Sequence, residues 1–159
     1  MQTFKVMDFF TIKENNWDTG FRFRVPAFKG VIMNLTVQQQ ELSKQYLDLI
    51  YIVEEGLEYV VSSYSDYERT EGDRILNDIF AAFIKIAESN QVLLKIFNNN
   101  PSILKAIEGF QSVMQQVLKL EGQLHDPNEK ELIIREGIFP LFVEWKNTIQ
   151  KELQPFILN

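Results

Sequence analysis

Glu54, Glu55 and Glu58 crowd one short stretch of the 159-residue chain, and Glu54 and Glu58 fall one helical turn apart. Clustered carboxylates suit two tasks: holding a hard divalent cation, or presenting a solvated acidic face. The solvated face is the favoured reading, with a weak divalent-cation site as the alternative. The single histidine, His125, stands in a polar stretch beside a helix start and reads as a surface or capping residue. A di-iron centre in a helical bundle would need two Glu-x-x-His motifs. The residue three before His125 is Gly122, so that chemistry is excluded. There is no cysteine, hence no thiolate nucleophile and no cysteine-ligated metal. Serines are plentiful, but no Gly-x-Ser-x-Gly elbow and no phosphate-cradling glycine loop occurs. No catalytic, cofactor or metal residue is singled out.

Three features point to binding instead. Ile52 and Tyr59 lie on the side of a long helix opposite its main apolar stripe, where they meet either an N-terminal hairpin or a partner. Residues 41–78 carry ten acidic and three basic side chains, a surface that would steer a basic partner or receive Arg22 and Arg24. The run from Ile138 to Val143, with Trp145 beside it, is apolar on all sides and fills either a helix elbow or a groove or dimer seam. The candidate partner-binding surface is therefore Ile52, Tyr59, Glu54, Glu55, Glu58, Arg22, Arg24, Phe139 and Trp145.

Composition narrows the classes further. The net charge is −6, with residues 1–30 at +2 and residues 31–159 at −8. An acidic body is a poor match for phosphate backbones, so nucleic acid is not expected as a partner. Lys5, Asp8, Lys13 and Glu14 break any signal-peptide core, and no apolar run approaches a bilayer span. The expectation is a soluble, cytoplasmic protein.

The elements that would position these residues follow from periodicity. Residues 1–30 show two alternating runs, Phe4 to Ile12 and Phe21 to Val25, separated by turn formers, which predicts an appended β-hairpin. Residues 31–159 predict four helices. The first runs from a Thr36 cap to about Tyr64, with Leu42, Tyr46, Leu49, Ile50, Val53, Leu57, Val60 and Val61 on one stripe. The second starts at Thr70 with Asp73 as reciprocal partner and continues unbroken to Phe97. The third opens on Asn100-Pro101 and carries an apolar seam as far as Leu124. The fourth opens on Asp126-Pro127 with Glu129 reciprocating. Pro140 should kink this last helix and Pro155 should stop it. Short connections imply an antiparallel up-down-up-down bundle with the hairpin appended.

The Thr36–Tyr64 run with Glu54-Glu55-Gly56-Leu57-Glu58-Tyr59, and the ending Phe139-Pro140-Leu141-Phe142-x-x-Trp145, resemble small all-helical bacterial proteins of uncharacterised families over residues 33–159. That resemblance implies a bundle and no established activity. In size, acidity and lack of cysteine the chain is similar in kind to flagellar and type III export chaperones. The expected function is a non-catalytic protein-binding, adaptor or chaperone-like bundle, with a protein partner or self-association as a homodimer. The alternatives are a regulatory bundle that binds a small apolar ligand between its helices, and a metal-dependent or hydrolytic enzyme.

Overall fold

The computed structural model describes residues 34–66 and 68–157. The expected hairpin, with Arg22 and Arg24, lies outside the described residues, and no strand occurs among those described. Their elements in order are α1 (Val37–Ser63), α2 (Gly72–Ile96), α3 (Pro101–Glu108), α4 (Phe110–Leu118), α5 (Pro127–Leu132), a π-helical turn (Ile133–Ile138) and α6 (Phe139–Ile157). The α3–α4 pair forms one rod broken at Gly109, and α5, the π-turn and α6 form another.

Three helix starts are where the capping chemistry puts them. Thr36 and Gln39 exchange bonds, Gln39 N–H to Thr36 Oγ1 at 3.2 Å and Thr36 N–H to Gln39 Oε1 at 3.0 Å. Asn100 accepts from Ile103 N–H, and Asp126 accepts from Asn128 and Glu129 N–H, each followed by a proline that has no N–H to lose. The start of α2 differs: its cap is Glu71, without a side-chain bond, so Thr70 and Asp73 form no capping box. Asp73 instead reaches across to Lys130, at 2.8 Å.

Matching contacts fix the directions. Tyr46 bonds Asn90, Gly56 lies on Ile79, and Ser63 lies on Gly72, so α1 and α2 run antiparallel. A Cβ on Gly56 would approach Ile79 to 3.3 Å, which is why a glycine sits in the middle of α1. Glu54 meets Lys146 while the carbonyl of Val61 meets Arg135, so α1 and the last rod are antiparallel too. Ala106 meets Trp145 and Gln116 lies on Gly137, which does the same for the α3–α4 rod and the last rod. The result is an up-down-up-down bundle of four rods.

The core is continuous and aromatic at its centre. Phe83, Phe110, Phe142 and Trp145 are all buried, with neighbouring ring centroids 4.6–5.8 Å apart in edge-on or tilted contacts. Trp145 Nε1–H donates to the Ala106 carbonyl at 2.9 Å. Ala106 lies in the last turn of α3, where helical carbonyls lack an intrahelical donor. Gly109 supplies the break, and a Cβ there would press on Trp145 Cδ1 at 3.2 Å.

The two prolines of the last rod are accommodated in different ways. Pro140 would deprive the Glu136 carbonyl of its donor in a regular helix. The backbone widens just before it, with Phe139 N–H bonding the Ile134 carbonyl, so Pro140 falls in the opening turn of α6. Pro155 does not end α6, which continues to Ile157 because Phe156 docks edge-on against the buried Phe97. The third rod stops at Leu118, short of Leu124, which is exposed beyond the turn at Gly122 (φ 76°).

Trp145→Phe retains an aromatic ring but leaves the Ala106 carbonyl without its donor and a void beside Gly109. A loss of about 2–4 kcal/mol is expected, read as a fall in Cm at unchanged m in urea unfolding. Wild-type stability would mean that the indole bond is incidental.

Candidate functional site

The proposed surface residues separate into three groups. Trp145 is core, exposing 5%, and leaves the surface set because its ring fills the centre of the bundle. Phe139 is half-buried against the same core. Arg22 and Arg24 lie outside the described residues. The rest belong to α1, and the helix turn divides them between two faces.

Glu54 faces the seam with α6. Its carboxylate holds Lys146 Nζ at 2.8 and 3.1 Å, and both side chains are largely shielded. The same ammonium lies 5.2 Å from the Tyr51 ring centroid. This Tyr51–Glu54–Lys146 cluster was not legible in the sequence, since its members are up to 95 positions apart and nothing local marks Lys146. The other face looks outward. Glu55 and Glu58 are exposed there beside Ile52, which exposes 64% of its surface. Tyr59 is half-buried under the Arg69 guanidinium, 5.2 Å from its ring centroid, and Arg69 is itself paired to Asp66 at 3.1 Å.

Because Glu54 turns inward and Glu55 and Glu58 outward, the three carboxylates do not converge. Among the described residues no group of three or more His, Asp or Glu side chains is placed to hold an ion. His125 is exposed on the turn before α5. An open depression on α6, lined by Asn147, Gln150, Lys151, Gln154 and Pro155, brings together amides and one lysine but no nucleophile with a base.

At the end of the bundle where α1 meets the π-turn, charged groups are paired off. Arg135 binds Glu131 at 2.7 Å and donates to Ser65 Oγ and the Val61 carbonyl. Lys130 holds Asp73 nearby. Within this latch the Tyr64 hydroxyl is buried without a hydrogen-bond partner. Burial, seconded by the carboxylates of Asp73 and Glu131 and opposed by Arg135, pushes the phenol up to about 12. Tyr46 is also held above the ordinary tyrosine range by burial, but its hydroxyl donates to Asn90 Oδ1 at 2.5 Å.

The two tyrosines should therefore answer oppositely to loss of the hydroxyl. Tyr46→Phe orphans a buried amide oxygen and should cost about 1–3 kcal/mol. Tyr64→Phe removes an unpartnered polar atom and should be neutral or slightly stabilising. Between pH 10, where the unfolded phenol ionises, and about 12, the folded chain binds the extra proton. Stability is thus full below pH 10 and declines as pH rises through that window. Thermal melts should show a shallower decline for Tyr64→Phe than for wild type. In the seam, Lys146→Met strands a shielded carboxylate and should lower stability by about 1–3 kcal/mol. Glu54→Gln alongside it should restore part of that loss in a double-mutant cycle.

No helix among the described residues is long and apolar enough to cross a membrane. The chain is similar to the uncharacterized protein YvzG of Bacillus subtilis (strain 168), 25% identical over 126 residues, covering 78% of this chain and 98% of the relative. No solved structure matches it. A domain of unknown function, DUF8042, matches residues 41–148, which run from the first turns of α1 into the middle of α6. On that match the chain belongs to the DUF8042 family.

Proposed function

We propose that the chain is a non-catalytic, cytoplasmic protein-binding module, adaptor- or chaperone-like, that presents the outer face of α1 to a partner. The observation that carries this reading is Ile52, a large apolar side chain left 64% exposed among the exposed carboxylates of Asp48, Glu55 and Glu58. Among the described residues none of those three carboxylates is in a salt bridge. Such a face suits a basic partner with an apolar anchor: charge guides the approach and the apolar contact holds it. Residues 1–30, read as an appended hairpin with Arg22 and Arg24, add a second surface of opposite charge.

The reading is preferred to a bundle that holds a small apolar ligand because the rings of Phe83, Phe110, Phe142 and Trp145 interdigitate where such a ligand would lie. It is preferred to a metal-dependent or hydrolytic enzyme because Glu54 is committed to Lys146 and does not converge with Glu55 and Glu58.

Affinity capture with the full chain tests it. Ile52→Glu, shown by its melting curve to be folded, should retain a stoichiometric partner roughly tenfold less well. Glu55→Lys with Glu58→Lys should slow association and flatten its salt dependence. Equal retention by all three proteins would remove α1 as the binding face.

A further inference from the structure

The outer side chains of α1 are sorted by charge along its length. Glu41, Asp48 and Glu55 recur every seventh residue, and all three are exposed. On the adjoining line of the helix stand Gln45, Ile52 and Tyr59, again seven apart and without charge. Seven residues are nearly two turns, so each line runs lengthwise and drifts by about 20° per repeat. Ile52 lies between Asp48 and Glu55 in height and exposes 64% of its surface. Among the described residues none of the three carboxylates is in a salt bridge, and Glu41 accepts from Gln45 Nε2 at 3.0 Å.

The spacing of the carboxylates selects the shape of what can pair with all of them. At ~1.5 Å rise per residue, positions seven apart stand about 10.5 Å from one another, and the three span roughly 21 Å. A second helix lying along α1 repeats its own side chains at the same interval, whether it runs parallel or antiparallel. An extended strand repeats one face every ~6.6 Å, so its cations fall out of step with the carboxylates at once. A second copy of this face would set carboxylate against carboxylate, which disfavours self-pairing.

We infer that the partner element received by α1 is an amphipathic helix with a basic residue at every seventh position and an apolar residue on the adjoining line. Its cations meet Glu41, Asp48 and Glu55, and its apolar side chain covers Ile52. Charge alone would admit any basic segment, so the seven-residue order is what makes the face selective. The inference rests on the reading of α1 as a binding face and adds the form of the partner.

Two synthetic peptides of about 21 residues, or roughly six helical turns, serve as probes. Both are built from alanine and glutamine with the same few lysines and a single leucine. In the ordered peptide lysine recurs every seventh residue with leucine on the adjoining line; in its twin the same residues are spread around the helix. Fluorescence anisotropy with the full chain at low ionic strength should show the ordered peptide binding roughly tenfold more tightly than its twin. Asp48→Asn with Glu55→Gln should remove that preference. Glu108→Gln with Glu121→Gln, an equal change of charge at exposed positions of another rod and its following turn, should leave it intact. Each variant must first match the wild-type melting curve. Equal affinities for the two peptides, or an equal loss in both variants, would overturn the inference. Self-association that Ile52→Glu abolishes would also overturn it, and would assign the face to a second copy. A partner retained from extract through Ile52 while the two peptides bind equally would refute the helical form and leave the adaptor reading standing.

Discussion

Burying an indole N–H without an acceptor would cost several kcal/mol, so Trp145 can sit only where a carbonyl stands free. The last turn of α3 provides one at Ala106, because the rod breaks at Gly109. That bond sets how α6 lies on the α3–α4 rod, and with it the places of Phe110 and Phe142 on either side of the ring. Phe83 then closes the cluster from α2. The π-turn at Ile133–Ile138 belongs to the same constraint. It lets the rod pass Pro140 while Ile134 and Ile138 below it and Trp145 above it all face inward.

A centre filled in this way has a consequence for function. Close-packed rings fill the centre of the bundle among the described residues, which is why the proposed recognition is sought at its surface. The polar groups that might have done chemistry are committed to one another. Glu54 clamps Lys146, Arg135 and Lys130 hold the base of the bundle, and Asn90 serves Tyr46. These pairs fix register, and the outer carboxylates of α1 beside Ile52 take no part in them.

The architecture was legible where the signal is local. Thr36, Asn100-Pro101 and Asp126-Pro127 announce helix starts because a cap is built from residues a few positions apart. The stripe of α1 could be read from spacing, and Tyr46, Ile50, Val53, Leu57 and Val60 are all buried. The misses involve tertiary contacts. Pro155 does not stop α6, because Phe97, far away in sequence, holds Phe156. Gly109 breaks a rod that reads as continuous, because Trp145 needs the space. The apolar run beside Trp145 favours core over a groove or seam, and Trp145 is buried, but its acceptor at Ala106 has no local trace. The Glu54–Lys146 clamp spans 92 positions and has no local trace at all. The N-terminal hairpin and its arginines lie outside the described residues.

The central claim is that recognition occurs on the outer face of α1 and spares the core. Isoleucine methyl spectra of the full chain test it most directly, recorded before and after adding the fraction that the chain itself retains from cell extract. Ile52 reports on the outer face, while Ile50, Ile86, Ile107 and Ile149 report on the interior. The account predicts that the Ile52 resonance shifts or broadens and the interior ones hold still. Movement of the interior methyls with Ile52 unchanged would contradict it and place the ligand between the helices.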